Sequence, residues 1–193
     1  MNNLLVILGK TSSGKDRTVN ELISKYNYKK IITYTTRPMR KGEKQDITYH
    51  FINTDEFIDK INSEFFAEWK SYVTVNGLWY YGTALEDLEN ADDNSVIILT
   101  PAGYRDIIKR MSERPISILI DADNETIKKR LIKRGDNPKE AERRLIHDNE
   151  DFKGIENEVD YIIHNNEGTN INDVIKEILN IANKRRDCNE SNT

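Results

Sequence analysis

Residues 2–22 read NNLLVILGKTSSGKDRTVNEL. Residues 4–8 are continuously apolar and stop at Gly9, the pattern of a strand buried on both faces of a parallel sheet. From Gly14 the period changes, and Val19, Leu22, Ile23 and Tyr26 recur on one face of a helix. Between strand and helix lies Gly9-Lys10-Thr11-Ser12-Ser13-Gly14-Lys15, with the glycine spacing and the lysine of a phosphate-binding loop in the context that loop requires. Successive N–H groups of such a loop form a nest for phosphate oxygens, the helix N-terminus adds positive partial charge, and Lys15 reaches the β- and γ-phosphates.

The next residue breaks the pattern. Asp16 stands where a serine or threonine hydroxyl would meet Mg2+. Either its carboxylate faces the metal, or it points away and favours the helix N-terminus; the reading leans to the second. Thr18, two positions on, is not expected to replace the missing hydroxyl.

Outward from the loop, further buried strands are expected at residues 95–99, 116–120 and 160–163, alternating with helices near 104–111, 125–133 and 171–183. The fold class is therefore α/β, a loop-type NTPase core whose parallel sheet is covered by helices on both faces. The core is expected to comprise residues 1–32, 84–130 and 152–184. Residues 33–83 form a β-rich insertion, with Asn76-Gly77 as a hairpin turn between YVTV and LWYY. Residues 131–151 are a charged helical segment, and 185–193 a polar, disordered tail.

With 193 residues and a net charge of −4, the chain is one domain that does not bind nucleic acid through bulk charge. Its only cysteine, Cys188, permits no internal disulfide, and no apolar run is long enough to span a membrane. A cytoplasmic location and a monomer or homodimer are expected.

The insertion supplies the second chemical signal. Arg37 and Arg40 lie close together, with Pro38 extending the path between them, and Glu43 and Tyr49 follow. Two guanidiniums and a phenol suit a phosphate monoester. The run Thr35-Thr36-Arg37-Pro38-x-Arg40-x-Gly42-Glu43, then Tyr49-x-Phe51, resembles the signature of the guanylate kinase family. FFAEW at residues 65–69, Tyr81-Gly82-Thr83 and KKRLIKRG at 128–135 follow in the family's order, so the resemblance runs from residue 4 to about 183.

The resemblance implies ATP and GMP as substrates, Mg2+ with the ATP, and direct in-line phosphoryl transfer. It makes residues 33–83 the GMP-binding insertion and 131–151 a lid. Gly9, Thr11, Ser12, Ser13, Gly14, Lys15, Asp16 and Arg17 would meet ATP, with Asn165 at its adenine, and Arg130 would come with Arg134 and Arg144 from the mobile lid to embrace the phosphates in transit. Arg37, Arg40, Tyr49 and Tyr81 would hold the GMP phosphate, while Glu68 reads the base beside Thr33, Thr83 and Thr100. Lys15, Arg37, Arg134 and Arg144 would be catalytic. The chemistry supports the base assignment: guanine offers N1–H and an amine side by side to a carboxylate, whereas adenine turns a lone pair toward it.

The chain departs from the family at two places besides Asp16. Thr100-Pro101-Ala102 stands where an Asp-x-Asp is expected, and position 48 is threonine instead of an acid. Asp121 and Asp123, which end the next strand and could supply carboxylate nearby, read as loop acids. These departures keep two alternatives open: a kinase for another nucleotide or phosphorylated small molecule, and a non-catalytic binding module.

Overall fold

The computed structural model describes residues 4–74 and 77–190. The chain begins with β1 (Leu5–Leu8), α1 (Lys15–Tyr26) and β2 (Lys29–Lys30). The insertion follows as β3 (Tyr34–Thr35), β4 (His50–Phe51), α2 (Thr54–Asn62), β5 (Phe66–Thr74) and β6 (Gly77–Ala84). Then come α3 (Leu85–Glu89), β7 (Ser95–Ile98), α4 (Pro101–Arg110), β8 (Ile116–Asp121), α5 (Asn124–Arg134), α6 (Pro138–Asp151), β9 (Tyr161–His164) and α7 (Ile171–Glu190).

Five strands form an all-parallel sheet in the order β2-β7-β1-β8-β9. The alternation of β1 explains why its apolar run is unbroken. Leu5 and Ile7 face one core with Val19 and Leu22 of α1 and Val174, Ile175 and Ile178 of α7. Leu4, Val6 and Leu8 face the other, with Tyr104 and Ile107 of α4 and Phe152. All five residues of the run are fully buried, each contributing about 1.5–3 kcal/mol of transfer free energy.

The insertion is a second sheet, β4-β3-β6-β5, built on the long antiparallel β5–β6 pair. Asn76, half of the expected turn dipeptide, lies outside the described residues; Gly77 pairs with Thr74 in register. The insertion is not purely β. Asn53 caps α2 by accepting a hydrogen bond from the Glu56 N–H at 2.8 Å, and Phe57 is buried against Phe66. A side-chain cap with acids in the first turn is a helix start signal that the Thr- and Tyr-rich surroundings mask.

The C-terminal helix corrects the expected disordered tail. It continues to Glu190, and Arg186 donates to the Asp93 carbonyl and to Asn94 Oδ1 at 2.9 Å, which fastens its last turns to the loop before β7. Residues 191–193 lie outside the described residues.

Candidate active site

The phosphate loop leaves the C-terminal end of β1 at the centre of the sheet, the place where parallel α/β sheets bind ligands. Gly9 is packed so closely on Ser13 and on the Ile120 carbonyl that a Cβ has no room. Gly14 takes φ +106, a conformation side chains rarely adopt, and a Cβ there would collide with the Asn165 amide. Ser13 N–H closes the turn onto the Lys10 carbonyl at 3.1 Å.

Arg130 and Asn165 meet this loop from behind. Arg130 donates to the carbonyls of Ser12 (3.2 Å), Ser13 (2.9 Å) and Asn165 (2.8 Å). Asn165 Nδ2 donates to the Ser13 carbonyl at 2.7 Å. These donors occupy the Ser12 and Ser13 carbonyls and fix the backbone of the loop. Both residues were expected at ATP; in the structure their polar groups hold the loop that would receive it.

Lys15 Nζ lies 3.2 Å from the Lys10 carbonyl and 3.8 Å from the Asp16 carboxylate. Asp16 is 75% exposed and makes no side-chain cap to α1. It stands in the first turn of α1, where a carboxylate favours the helix start. Thr18 is fully buried in α1 and Arg17 is exposed.

Opposite the loop, the insertion walls a cavity of about 570 Å³, the size of a small-ligand pocket. Gly9, Thr11 and Lys15 line one side; Thr33, Arg40, Tyr49, Glu68, Tyr81 and Thr100 line the other. Arg143 and Arg144 close it from α6. The β5–β6 register puts Glu68 opposite Thr83 and Lys70 opposite Tyr81 on one face of the hairpin. Thr83 Oγ1 donates to Glu68 Oε1 at 2.7 Å, and burial pushes the Glu68 carboxyl up despite that bond. Thr100 caps α4, accepting from the Gly103 N–H at 3.2 Å. Gly103 is glycine for space: a Cβ would stand 3.1 Å from Glu68 Oε2.

Tyr49 is half-buried between Phe51 and Tyr81, and burial raises its phenol to about 12, so it remains a hydrogen-bond donor at neutral pH. The Arg37 guanidinium lies over the Tyr49 and Phe51 rings at 5.4 and 5.6 Å. Arg37, expected at the GMP phosphate, is 4% exposed and forked onto Glu43 at 3.0 and 2.7 Å, and of the two arginines it is Arg40 that lines the cavity. Burial and the charges of Arg37 and Arg144 together lower the Arg40 pKa, which marks a crowded cationic corner. Arg134 is forked onto Asp136, and Arg144 lies 3.6 Å from the same carboxylate.

Three residues that the sequence reading did not single out also line the cavity. Tyr72, on the same hairpin face as Glu68, has its hydroxyl 3.5 Å from Thr100 Oγ1. Asp148 accepts a hydrogen bond from the Thr11 N–H, and His147 packs edge-on to Tyr72. The period-2 pattern of β5 would have placed Tyr72 beside Glu68, but no sequence signal links Asp148 to a loop 137 residues away. Asp121 and Asp123 are not near the base pocket side chains: Asp121 sits 3.3 Å from His164, and Asp123 caps α5 through the Thr126 N–H at 2.7 Å.

A family model described as Guanylate kinase matches residues 1–183. The chain belongs to the guanylate kinase family. A guanylate kinase of Campylobacter jejuni is 35% identical over 190 residues, covering 95% of this chain and 90% of its own. One from Prochlorococcus marinus is 29% identical over 186 residues, covering 94% and 97%. The crystal structure of guanylate kinase from Anaplasma phagocytophilum superposes with a TM-score of 0.70 at 25% identity, over 95% of this chain and 86% of that one. Family membership agrees with the parallel core and its flanking helices, and it makes the loop-to-insertion cavity the candidate active site. Among the described residues, no helix is long and apolar enough to cross a membrane.

Proposed function

We propose that the chain is a nucleoside monophosphate kinase that transfers the γ-phosphoryl group of ATP to GMP, giving ADP and GDP. One observation carries this reading. A single cavity has the amides and ammonium of the phosphate loop on one wall and Arg40, Tyr49, Tyr81 and Glu68 on the facing wall. The family of its relatives supports both the reaction and the substrates.

In this reading the loop amides and Lys15 hold the donor phosphates, and Arg130 and Asn165 act by fixing the loop. Arg40, Tyr49 and Tyr81 hold the phosphate of GMP, with Arg37 behind them setting the potential. Glu68 accepts from guanine N1–H and the exocyclic amine, oriented by Thr83 and flanked by Thr100 and Thr33. The acceptor phosphate is already a nucleophile, so the protein's work is alignment and charge neutralisation without a covalent intermediate. Residues 131–151 act as the lid: Arg134 and Arg144 turn from Asp136 to the phosphoryl group in transit, and closure keeps water from accepting it.

The residues present fit Mg2+. The ion keeps several waters, binds one or two carboxylates and takes its other ligands from nucleotide phosphates. Asp16, exposed and 3.8 Å from the Lys15 ammonium, is the carboxylate that would hold it. When bound, the metal would neutralise charge on the β- and γ-oxygens. ATP and GMP as substrates go with a cytoplasmic location.

A coupled assay for ADP with ATP and each nucleoside monophosphate tests the reading, with GMP as the expected acceptor. Nucleotide binding without ADP formation would instead favour a binding module.

A further inference from the structure

The phosphate loop in the structure is paired with an anion of the chain's own. Asp148, near the end of α6, accepts from the Thr11 N–H at 2.5 Å, and its neighbour Asn149 accepts from Lys10 Nζ at 2.8 Å. Thr11 and Asp148 line the same cavity as Arg40 and Tyr81. A carboxylate and a phosphate bind a backbone N–H through the same charge-assisted geometry. The junction of α5 and α6 repeats the arrangement. Asp136 takes both arms of Arg134 at 2.6 and 2.5 Å and has Arg144 at 3.6 Å, and Arg134, ahead of Arg144 and Arg40, holds its carboxyl below the ordinary range.

The two aspartates differ in how firmly they are held. Asp136 is stabilised by its arginines. Asp148 is pushed up by burial, which outweighs the Thr11 N–H and the Lys15 charge. A carboxylate in a poorly solvated position beside a nest of amides is readily exchanged for a ligand that brings more negative charge.

We propose that Asp148 is an exchangeable stand-in for a nucleotide phosphate: the terminal phosphate of the triphosphate takes the Thr11 N–H and expels the Asp148 side chain, which releases the end of α6 from the loop. The inference rests on the donor-loop reading above. Asp148 then acts as an affinity-setting residue for the donor. It weakens binding of a ligand whose phosphates reach Thr11 and leaves binding of one without phosphates alone. It also returns to the amide once the phosphoryl group has left for the acceptor.

The test is titration calorimetry of the full chain with Mg·ATP and with adenosine, comparing wild type, Asp148→Asn and Asp148→Ala. The asparagine variant keeps an acceptor for the Thr11 N–H and removes only the charge. Both variants are expected to bind Mg·ATP about tenfold more tightly, alanine at least as tightly as asparagine, with adenosine affinity changed by less than about twofold. The melting temperature without ligand falls in the alanine variant, while the rise produced by Mg·ATP grows in both. Should the alanine variant not fold, as read by circular dichroism, the asparagine variant decides. Equal or weaker Mg·ATP binding in a folded variant overturns the proposal. Wild type that binds no Mg·ATP overturns the donor-loop reading and this proposal with it.

Discussion

Thr83 and Glu68 are register partners across the β5–β6 hairpin, and the threonine hydroxyl donates to Glu68 Oε1 at 2.7 Å. The other oxygen, Oε2, faces Gly103, where an added Cβ would stand 3.1 Å away and require the carboxylate to give. The Glu68 carboxylate is thus held by two strands and one glycine.

Replacing Glu68 with glutamine is expected to lower kcat/KM for GMP about a hundredfold and to narrow the preference over AMP, as measured by steady-state assays with both acceptors. The same change should raise the melting temperature at neutral pH. Burial raises the folded-state pKa of Glu68, so the ionised group costs stability above that pKa and costs nothing below the unfolded value. The advantage of the glutamine variant should therefore shrink as pH falls through that window. GMP affinity of the wild type should fall over the same window, because protonated Glu68 loses an acceptor.

Gly103→Ala separates function from folding. Alanine is favoured over glycine in a helix by about 1 kcal/mol, so the melting temperature should hold or rise. Its Cβ would stand 3.1 Å from Glu68 Oε2 and 3.4 Å from Thr100 Oγ1, displacing the base-reading carboxylate. KM for GMP should rise severalfold with KM for ATP unchanged; an unchanged KM for GMP would remove Glu68 from the base site.

Glu43→Gln leaves Arg37 buried without its charge partner, and urea unfolding should report a loss of about 3 kcal/mol. Burial opposes the Glu43 carboxylate, but the hydrogen bonds from Arg37 and the Arg40 N–H outweigh it and hold its carboxyl below the ordinary range. Its contribution is present above the unfolded carboxyl pKa and lost as pH falls through the lower folded value. The gap between wild type and variant should accordingly close in acid.

Arg130→Ala removes three hydrogen bonds to carbonyls at the loop's back. KM for ATP is expected to rise about tenfold, equivalent to roughly 1.4 kcal/mol, with KM for GMP little changed. Lysine should rescue poorly, because one ammonium cannot span the Ser12, Ser13 and Asn165 carbonyls as the planar fork does.

What can be read along the chain is whatever depends on neighbours in sequence. The unbroken apolar run of residues 4–8 requires a strand covered twice, and the two cores on either side of β1 are its consequence. Motif context singles out Glu68 and Tyr81, and the hairpin places them on one face. What the sequence does not carry is long-range pairing. Nothing local reveals that Glu43 forks onto Arg37, or that Arg130 and Asn165 donate to loop carbonyls. Helix α2 was hidden by β-forming neighbours, and the last helix outran its apolar pattern because Arg186 anchors it to residues 93 and 94.

The central claim is that phosphate passes between a loop-bound ATP and a GMP read by Glu68. It is tested most directly by measuring ADP and nucleoside diphosphate formed from Mg·ATP with GMP, AMP, CMP and UMP, alongside the Lys15→Ala variant. The expected result is ADP and GDP in equal amounts, GMP preferred about a hundredfold or more over the others, and turnover lost in the variant. Preference for another acceptor, or full activity without Lys15, would contradict it.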